Sequence, residues 1–396
     1  MENKFTTSEK VLIKLLAGVL LNHKKVEIVG EKEWEELLLR ADKHQVLSLL
    51  YDVVEASDLS NEKKQEWTTK AKQIVFQNYH LLFTAKYVIE LLEKSNVPCV
   101  LLKGATIAEY FPVPELRKSG DVDIMAFGEA NIKKAEKLLQ EAGFKKSREQ
   151  HASHHILWYS PEGIELELHI KLIEQFSVKN ANQKVDSLLE DLEMHIQRNR
   201  IMDVEFPVLS DGYQAYHLLL HMLVHYLHSG FGLRLLCDWV VFWNRKVAEK
   251  EREEYKRLIA SSGLQKFSDV ITSVCIYFFG LDNPRIGECS SQEEAECFLN
   301  EVLEAEEFGS SDSDRLIVLY GNGIRAYARE FHHQMKMNYP KLEKIWILWP
   351  ILWISTLMRF VINNHKLRKT TSWRVLRKTH VRSKNIKKLQ LFQMES

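Results

Sequence analysis

The sequence predicts an α+β protein, predominantly helical, in which a compact α/β insert sits between two helical regions. Three observations predict it. Apolar residues recur at helical spacing through the first hundred residues and again from about residue 184. Between them, residues 98–172 carry short apolar or alternating runs of strand length. Gly and Pro are scarce, 16 and 8 in 396 residues, which suits long helices and few turns. With 45% hydrophobic and 27% charged residues, the composition excludes a mainly disordered chain, a collagen-like fibre and a disulfide-dense miniprotein. The length corresponds to about two or three domains.

The elements follow in order. Thr6 and Glu9 have capping-box spacing ahead of the apolar run Val11–Leu21. Trp34, Leu37, Leu38 and Ala41 mark a second helix. A long helix is predicted from about Glu62 to Lys94, with Trp67, Ala71, Ile74, Leu81, Val88 and Leu92 toward the core. Pro98–Leu102 reads as a strand ending at Lys103-Gly104, and Ala105–Phe111 as a helix broken by Pro112 and Pro114. Val122–Met125 reads as a second strand, and Asn131–Ala142 as a helix closed by Gly143. His155–Tyr159 and Ile164–Leu172 read as strands paired around Ser160-Pro-Glu-Gly163. In the second, Ile164, Leu166, Leu168, Ile170 and Leu172 share one face and Glu165, Glu167, His169 and Lys171 the other. Helices are predicted at Tyr213–Leu227, Leu235–Asn244, Arg252–Ser261 and Lys266–Phe279, followed by an acidic, loop-rich stretch, Gly280–Asp314. The predicted regions are 1–95 (helical), 96–175 (α/β core), 176–343 (helical) and 344–396 (an apolar helix and basic tail).

Charge is balanced, 54 Lys and Arg against 54 Asp and Glu, but twelve of the basic residues and no acidic ones lie between Lys344 and Met394. A basic footprint over the whole chain is absent, so nucleic acid is not the expected partner. Ile345–Met358, with Trp346, Trp349 and Trp353, is too short to span a bilayer. Its favoured reading is a helix docked on the preceding helices. A membrane-interface helix and an RNA-binding segment with Trp373 are the rivals, because the basic run Lys366–Lys388 follows. The default for that run is a solvated tail. The five cysteines, Cys99, Cys237, Cys275, Cys289 and Cys297, show no metal-ligand spacing, and Cys99 and Cys237 read as buried free thiols. Met1–Lys10 lacks the order of a signal peptide, so the expected location is the cytoplasm.

Asp121-Val-Asp-Ile124 is the sharpest local signal. On a strand, residues two apart share a face, so both carboxylates converge while Val122 and Ile124 enter the core. Converging carboxylates repel unless a cation lies between them, and such oxygen ligands suit Mg²⁺ or Mn²⁺. A second Asp-x-Asp, Asp312-Ser-Asp314, sits among serines and reads as a helix cap. Upstream, Lys103-Gly104 makes a strand-to-helix turn that suits a phosphate through backbone N–H groups, a helix N-terminus and the lysine charge. Arg117 either binds phosphate or pairs with a carboxylate such as Glu115. Glu167 or its neighbour Glu165 either supplies a third carboxylate, as metal ligand or proton acceptor, or belongs to a solvated strand face of alternating charges. His217, His221 and His225 share a helix face. Zinc is one use of such a face, lining a cleft is a better one, and for His217 plain packing is better still.

Taken together, Leu102-Lys-Gly-Ala105, Arg117, Gly120-Asp-Val-Asp123 and Glu167-Leu-His169 resemble the nucleotidyltransferase fold of the DNA polymerase beta type. More closely, they resemble the uncharacterised nucleotidyltransferase family of bacteria. Trp34, Ala41-Asp-Lys-His44 and the segment His221, His225, Arg234, Asp238 extend the resemblance, which runs from about Trp34 to Lys369. It implies a mixed sheet with helices packed on it. It implies Mg²⁺- or Mn²⁺-dependent transfer of a nucleoside monophosphate from an NTP, with ATP the expected donor. The acceptor would be a hydroxyl or similar group on a small molecule, a peptide or protein, or a glycan intermediate. Carried over by position, Asp121, Asp123 and Glu167 are catalytic metal ligands. Gly104 and Ala105 form the triphosphate turn, with Lys103, Thr106 and Arg117 beside it, and Arg234 and Asp238 face the cleft. Ala105 stands where the superfamily has Gly or Ser, so Thr106 is expected to supply the hydroxyl. Fifteen residues, Thr106–Gly120, separate the turn from the aspartates. The alternative is a non-catalytic scaffold that keeps the fold. One consequence of the metal reading is that Asp123→Asn should nearly abolish transfer while leaving stability unchanged or raised, because repulsion in the metal-free protein is relieved.

Overall fold

Seven strands form one mixed sheet, in the order Lys145–Lys146, His155–Tyr159, Glu165–His169, Val122–Ala126, Cys99–Leu101, Val204–Leu209 and Ile196–Ile201, and the order explains how distant residues meet. The computed structural model describes residues 5–21, 31–148, 154–176, 179–228, 230–306 and 345–362, with single positions between 328 and 342 and between 386 and 392. The Asp312–Asp314 motif and most of the basic run, including Trp373, lie outside the described residues.

Helices α1 (Thr7–Leu20), α2 (Glu31–Lys43), α3 (Tyr51–Glu55) and α4 (Asn61–Lys94) lead into β1 (Cys99–Leu101). The Thr6–Glu9 capping box forms as expected. A short helix α5 (Gly104–Ala108), β2 (Val122–Ala126), α6 (Glu129–Glu141), β3 (Lys145–Lys146), β4 (His155–Tyr159) and β5 (Glu165–His169) complete the predicted core. After α7 (Lys179–Leu188), a hairpin of β6 (Ile196–Ile201) and β7 (Val204–Leu209) returns to the sheet, β7 lying parallel to β1. The sheet therefore runs past residue 175, where the sequence placed the end of the core. The hairpin escaped because β6 is mostly polar, β7 holds Pro207, and the turn uses Met202 and Asp203 at φ 45° and 67° instead of glycine.

Helices α8 (Asp211–His228), α9 (Leu233–Asn244), α10 (Glu249–Ser262) and α11 (Gln265–Val274) form the second helical region. The acidic stretch predicted as loop contains α12 (Gln292–Ala305). Its Ala295, Phe298, Leu299, Val302 and Leu303 are buried at helical spacing, a pattern hidden by the surrounding glutamates. Helix α13 (Trp349–Ile362) forms where the apolar stretch predicts; its Leu352 and Thr356 are buried, while Ile351, Ile354, Leu357 and Met358, and Trp346 and Ile347 just before it, are exposed. Among the described residues, no helix is long and apolar enough to cross a membrane. Cys99, Cys237 and Cys275 are buried free thiols, whereas Cys289 is exposed.

The sheet separates two cores. On one side, Val122, Ile124, Leu166, Leu168, Trp158 and Phe206 pack against Leu81, Leu82, Val88 and Leu92 of α4 and Leu139 of α6. On the other, Val100 and Leu102 join a larger core that includes Leu219, Leu223, Leu236 and Trp239 of α8 and α9. Alternation along β2 and β5 sends Asp121, Asp123, Glu167 and His169 toward this second side. The candidate site residues therefore lie between the sheet and the helical body.

Candidate functional site

Three strands carry the floor of the site. Strand β2 is parallel to β5 with Asp123 opposite Glu167, and β5 is antiparallel to β4 with His169 opposite His155. Facing residues on neighbouring strands lie close enough to interact. Carboxylate oxygens of Asp121, Asp123 and Glu167 accordingly lie within 4.8 Å of one another, as do the donor atoms of His155, Glu167 and His169. Glu165 belongs to neither group, so Glu167 is the third carboxylate. The floor opens into a cavity of about 290 Å³, walled by His221 and His225 of α8 and by Arg234 and Asp238 of α9.

The charges on the floor are closely matched. The Lys103 ammonium donates to Asp123 Oδ1 at 2.9 Å and lies 4.0 Å from Glu167 Oε2. His169 Nε2 lies 2.9 Å from the same Asp123 oxygen and 3.2 Å from Glu167 Oε2, and His155 Nδ1 lies 3.1 Å from Glu167 Oε2. Burial pushes Asp123 up, but Lys103 and His169 outweigh it and hold the carboxyl below its ordinary value. For Glu167 too, burial raises and the His155 and His169 hydrogen bonds and Lys103 outweigh it, leaving the group well below normal. Asp121 goes the other way: the Asp123 charge and then burial push it up to about 7. Burial works against the Lys103 and His169 cations, yet Asp123 and its neighbouring carboxylates raise both groups.

This asymmetry corrects the expectation for Asp123→Asn. The repelled carboxylate is Asp121. Asp123 is nearly fully buried between two cationic partners, so removing its charge leaves them only the Glu167 carboxylate nearby and is expected to cost stability.

The predicted phosphate turn is partly as expected. Lys103 and Gly104 line the cavity. The unusual backbone conformation lies at Lys103, with φ 38° and ψ −130°, not at the glycine. A β-carbon on Gly104 would sit 3.5 Å from Ser119 Oγ and 3.7 Å from Arg117 Nη1, ordinary contact distances. Ala105 packs against the core beneath the sheet. Thr106 is a correction: its hydroxyl donates to the Lys103 carbonyl and accepts from Gln214 Nε2 at 2.8 Å, and the residue is buried away from the cavity. Helix α5 turns this side chain inward, so it offers no hydroxyl to a phosphate.

Arg117 also lines the cavity, but its guanidinium is engaged elsewhere. Nε and Nη2 donate to the two carboxylate oxygens of Asp238 at 3.0 and 2.7 Å, and Nη1 donates to Ser119 Oγ and the Lys118 carbonyl. Arg117 and Asp238 are 3% and 1% exposed, so this bidentate pair joins the strand-bearing core to α9 in the interior. Glu115 instead accepts from the Tyr79 hydroxyl. Asn78 of α4 holds the same loop, donating to the Glu115 and Arg117 carbonyls and accepting from the Ser119 N–H. The fifteen-residue interval is thus fastened at several points.

His221 and His225 line the cavity, and burial drives both, with His217, toward the neutral form; His225 falls to about 3. His217 is buried with Nε2 unpaired among the described residues. Sequence reasoning missed His154 and His155 as floor residues. Counting outward from the Ser160–Gly163 turn, with Tyr159 opposite Glu165, sets His155 against His169 and was the signal available.

The profile of a family described as uncharacterised nucleotidyltransferase matches residues 30–280. No curated protein matches the chain. Among solved structures, the crystal structure of an antigenic nucleotidyltransferase-like protein from Paracoccidioides brasiliensis is similar at 15% identity, over 51% of this chain and 93% of that one, with a TM-score of 0.32.

Proposed function

We propose, since the chain belongs to the uncharacterised nucleotidyltransferase family, that it moves a nucleoside monophosphate from an NTP to a hydroxyl or similar acceptor. The observation that carries this reading is the convergence of Asp121, Asp123 and Glu167 on the floor of an open cavity. Their all-oxygen donor set fits a hard divalent cation, Mg²⁺ or Mn²⁺. Asp121, pushed up to about 7 by a neighbouring negative charge, marks the position most in need of one. Such an ion would neutralise charge on the phosphates, which is the main demand of phosphoryl-type transfer. Lys103 and Gly104 lie beside the carboxylates, where the triphosphate would rest, and Arg234 faces them from α9. Arg117, paired with Asp238, holds Ser119 Oγ and the Lys118 carbonyl, and its charge is closed within that pair. The nucleotide is proposed as ATP, and the acceptor as a small molecule, a peptide or protein, or a glycan intermediate.

A second reading, a non-catalytic scaffold, is favoured by one contact: the Lys103 ammonium already lies 2.9 Å from Asp123. Calorimetry with each NTP in the presence of Mg²⁺ or Mn²⁺ separates the two, followed by incubation with α-labelled NTP and candidate extracts. Metal-dependent NTP binding and label transfer support the enzyme. No NTP binding, even with Mn²⁺, leaves the scaffold.

A further inference from the structure

We propose that His155, His169 and Glu167 form a second cation site, chemically distinct from the three-carboxylate cluster and suited to a nitrogen-preferring divalent ion such as Zn²⁺ or Co²⁺. The donor atoms of the three residues lie within 4.8 Å of one another, and all three residues line the cavity. Glu167 Oε2 is 3.1 Å from His155 Nδ1 and 3.2 Å from His169 Nε2. Ligands held at roughly 2.1 Å from a metal lie about 3.0 Å apart at an octahedral edge and about 3.4 Å at a tetrahedral one. Both separations from Glu167 Oε2 fall between these limits.

Sheet register builds the arrangement. His155 is directly opposite His169, and Glu167 lies two residues from His169 on the same face. The His169 ring is oriented from behind, with Nδ1 3.2 Å from the Lys171 carbonyl, so that Nε2 faces Glu167 Oε2 and Asp123 Oδ1 at 3.2 and 2.9 Å, and an ion there takes the place of the Nε2 proton. A backbone carbonyl in this position is the usual means of aiming a metal-binding imidazole. A further nitrogen, His154 Nε2, lies 3.2 Å from His155 Nδ1, while its own Nδ1 is buried without a partner among the described residues. The cavity leaves the remaining coordination positions to water or a ligand oxygen. Two histidines and one glutamate with an open position is a recurrent set for zinc.

Ligand chemistry separates the two sites. Mg²⁺ favours the oxygen cluster and binds imidazole poorly, whereas Zn²⁺ and Co²⁺ gain from nitrogen. Glu167 belongs to both donor sets, so an ion on the histidines also fixes the third carboxylate of the neighbouring cluster. The inference does not depend on nucleotidyl transfer: a chain that transfers nothing would bind this ion equally.

The test uses the full chain stripped by a chelator and titrated with Co²⁺ in saturating Mg²⁺, read by visible d–d absorption and chelator competition. One Co²⁺ per chain should bind despite the Mg²⁺, and Asp121→Asn should keep that binding within about threefold. His155→Ala should weaken it by about 100-fold or more, at or beyond the upper end of the roughly 10–100-fold lost with an outer-shell partner alone. His155→Gln, read alongside circular dichroism, guards against a folding defect. Displacement of Co²⁺ by Mg²⁺ would overturn the assignment. So would affinity that collapses in Asp121→Asn and survives both His155 variants, since the ion would then sit on the carboxylates.

Discussion

The floor and the helical wall of the cavity are both buried, yet burial has opposite consequences in the two. On the wall, the histidines of α8 meet too little opposite charge to offset desolvation, so burial drives them neutral. A strong charge pair there, Arg117 with Asp238, is closed on itself in bidentate geometry. On the floor, Lys103, His169, Asp123 and Glu167 keep their charges because each is within reach of an opposite one. Only Asp121 is left over, and it alone among the three carboxylates is pushed up. Clustering preserves charge under burial, and isolation removes it. The floor is therefore equipped to hold cations, while the wall supplies shape, neutral imidazoles and the Arg234 guanidinium.

The largest effect should come from breaking the floor. Asp123→Asn is expected to lower nucleotidyl transfer by about 10³-fold or more, roughly 4 kcal/mol of transition-state stabilisation. The same substitution should lower thermal stability, because Lys103 and His169 lose their shared partner. Full activity in this variant would remove the cation reading of the floor altogether.

Breaking the wall should act on folding first. Arg117→Ala leaves Asp238 charged and unpaired at 1% exposure, for which about 3–5 kcal/mol is the usual cost of removing one partner of a buried pair. Denaturant unfolding measures it directly. A loss below about 1 kcal/mol, combined with a raised KM for NTP, would return Arg117 to the phosphate-binding role expected from sequence.

The next prediction sharpens the contrast through pH. In metal-free protein the folded chain holds the Asp121 proton up to about 7, whereas the ordinary value is 3.8. Between these values the folded state binds more protons, so this group makes stability fall as pH rises. Asp121→Asn should remove that slope and stabilise the metal-free protein at pH 8 by about 1–2 kcal/mol, with no gain near pH 4. Mg²⁺ should reverse the sign of the difference at pH 8. Thermal melts at the two pH values, with chelator and with Mg²⁺, give all the comparisons.

Much of this contrast was legible in the sequence where the carriers are local. Asp121-Val-Asp-Ile124 and Glu165-Leu-Glu-Leu-His169 alternate with period two, so the faces and the bare fact of convergence follow from strand geometry. The wall was legible only as a periodic row of histidines. Its closure is not local: Arg117 and Asp238 are 121 positions apart, and Gln214 reaches Thr106 across 108. No spacing rule connects such pairs, because only the packing of α8 and α9 on the sheet brings them together. The β6–β7 hairpin was hidden for a related reason, since tertiary pairing with β1 overrides its polar composition and Pro207.

Thr106 offers the smallest and most discriminating test, because the two readings of one hydroxyl predict different observables. As a phosphate contact, it would be felt in nucleotide binding and not in folding. In the structure, its oxygen lies between the Lys103 carbonyl and Gln214 Nε2, at 2% exposure. Thr106→Val keeps the shape and removes that oxygen, leaving the Gln214 amide without the acceptor it has there. A buried donor stranded in this way costs about 1–3 kcal/mol, and the low end applies because the Lys103 carbonyl is itself bonded by the Thr106 N–H. The expected result is a loss of about 1 kcal/mol in unfolding free energy with KM for NTP unchanged within twofold. Thr106→Ser, which keeps the hydroxyl, should recover most of the loss. The reverse pattern, with stability intact and KM raised several-fold, would mean that α5 turns its hydroxyl toward the cavity after all, and Thr106 would move from the scaffold to the floor.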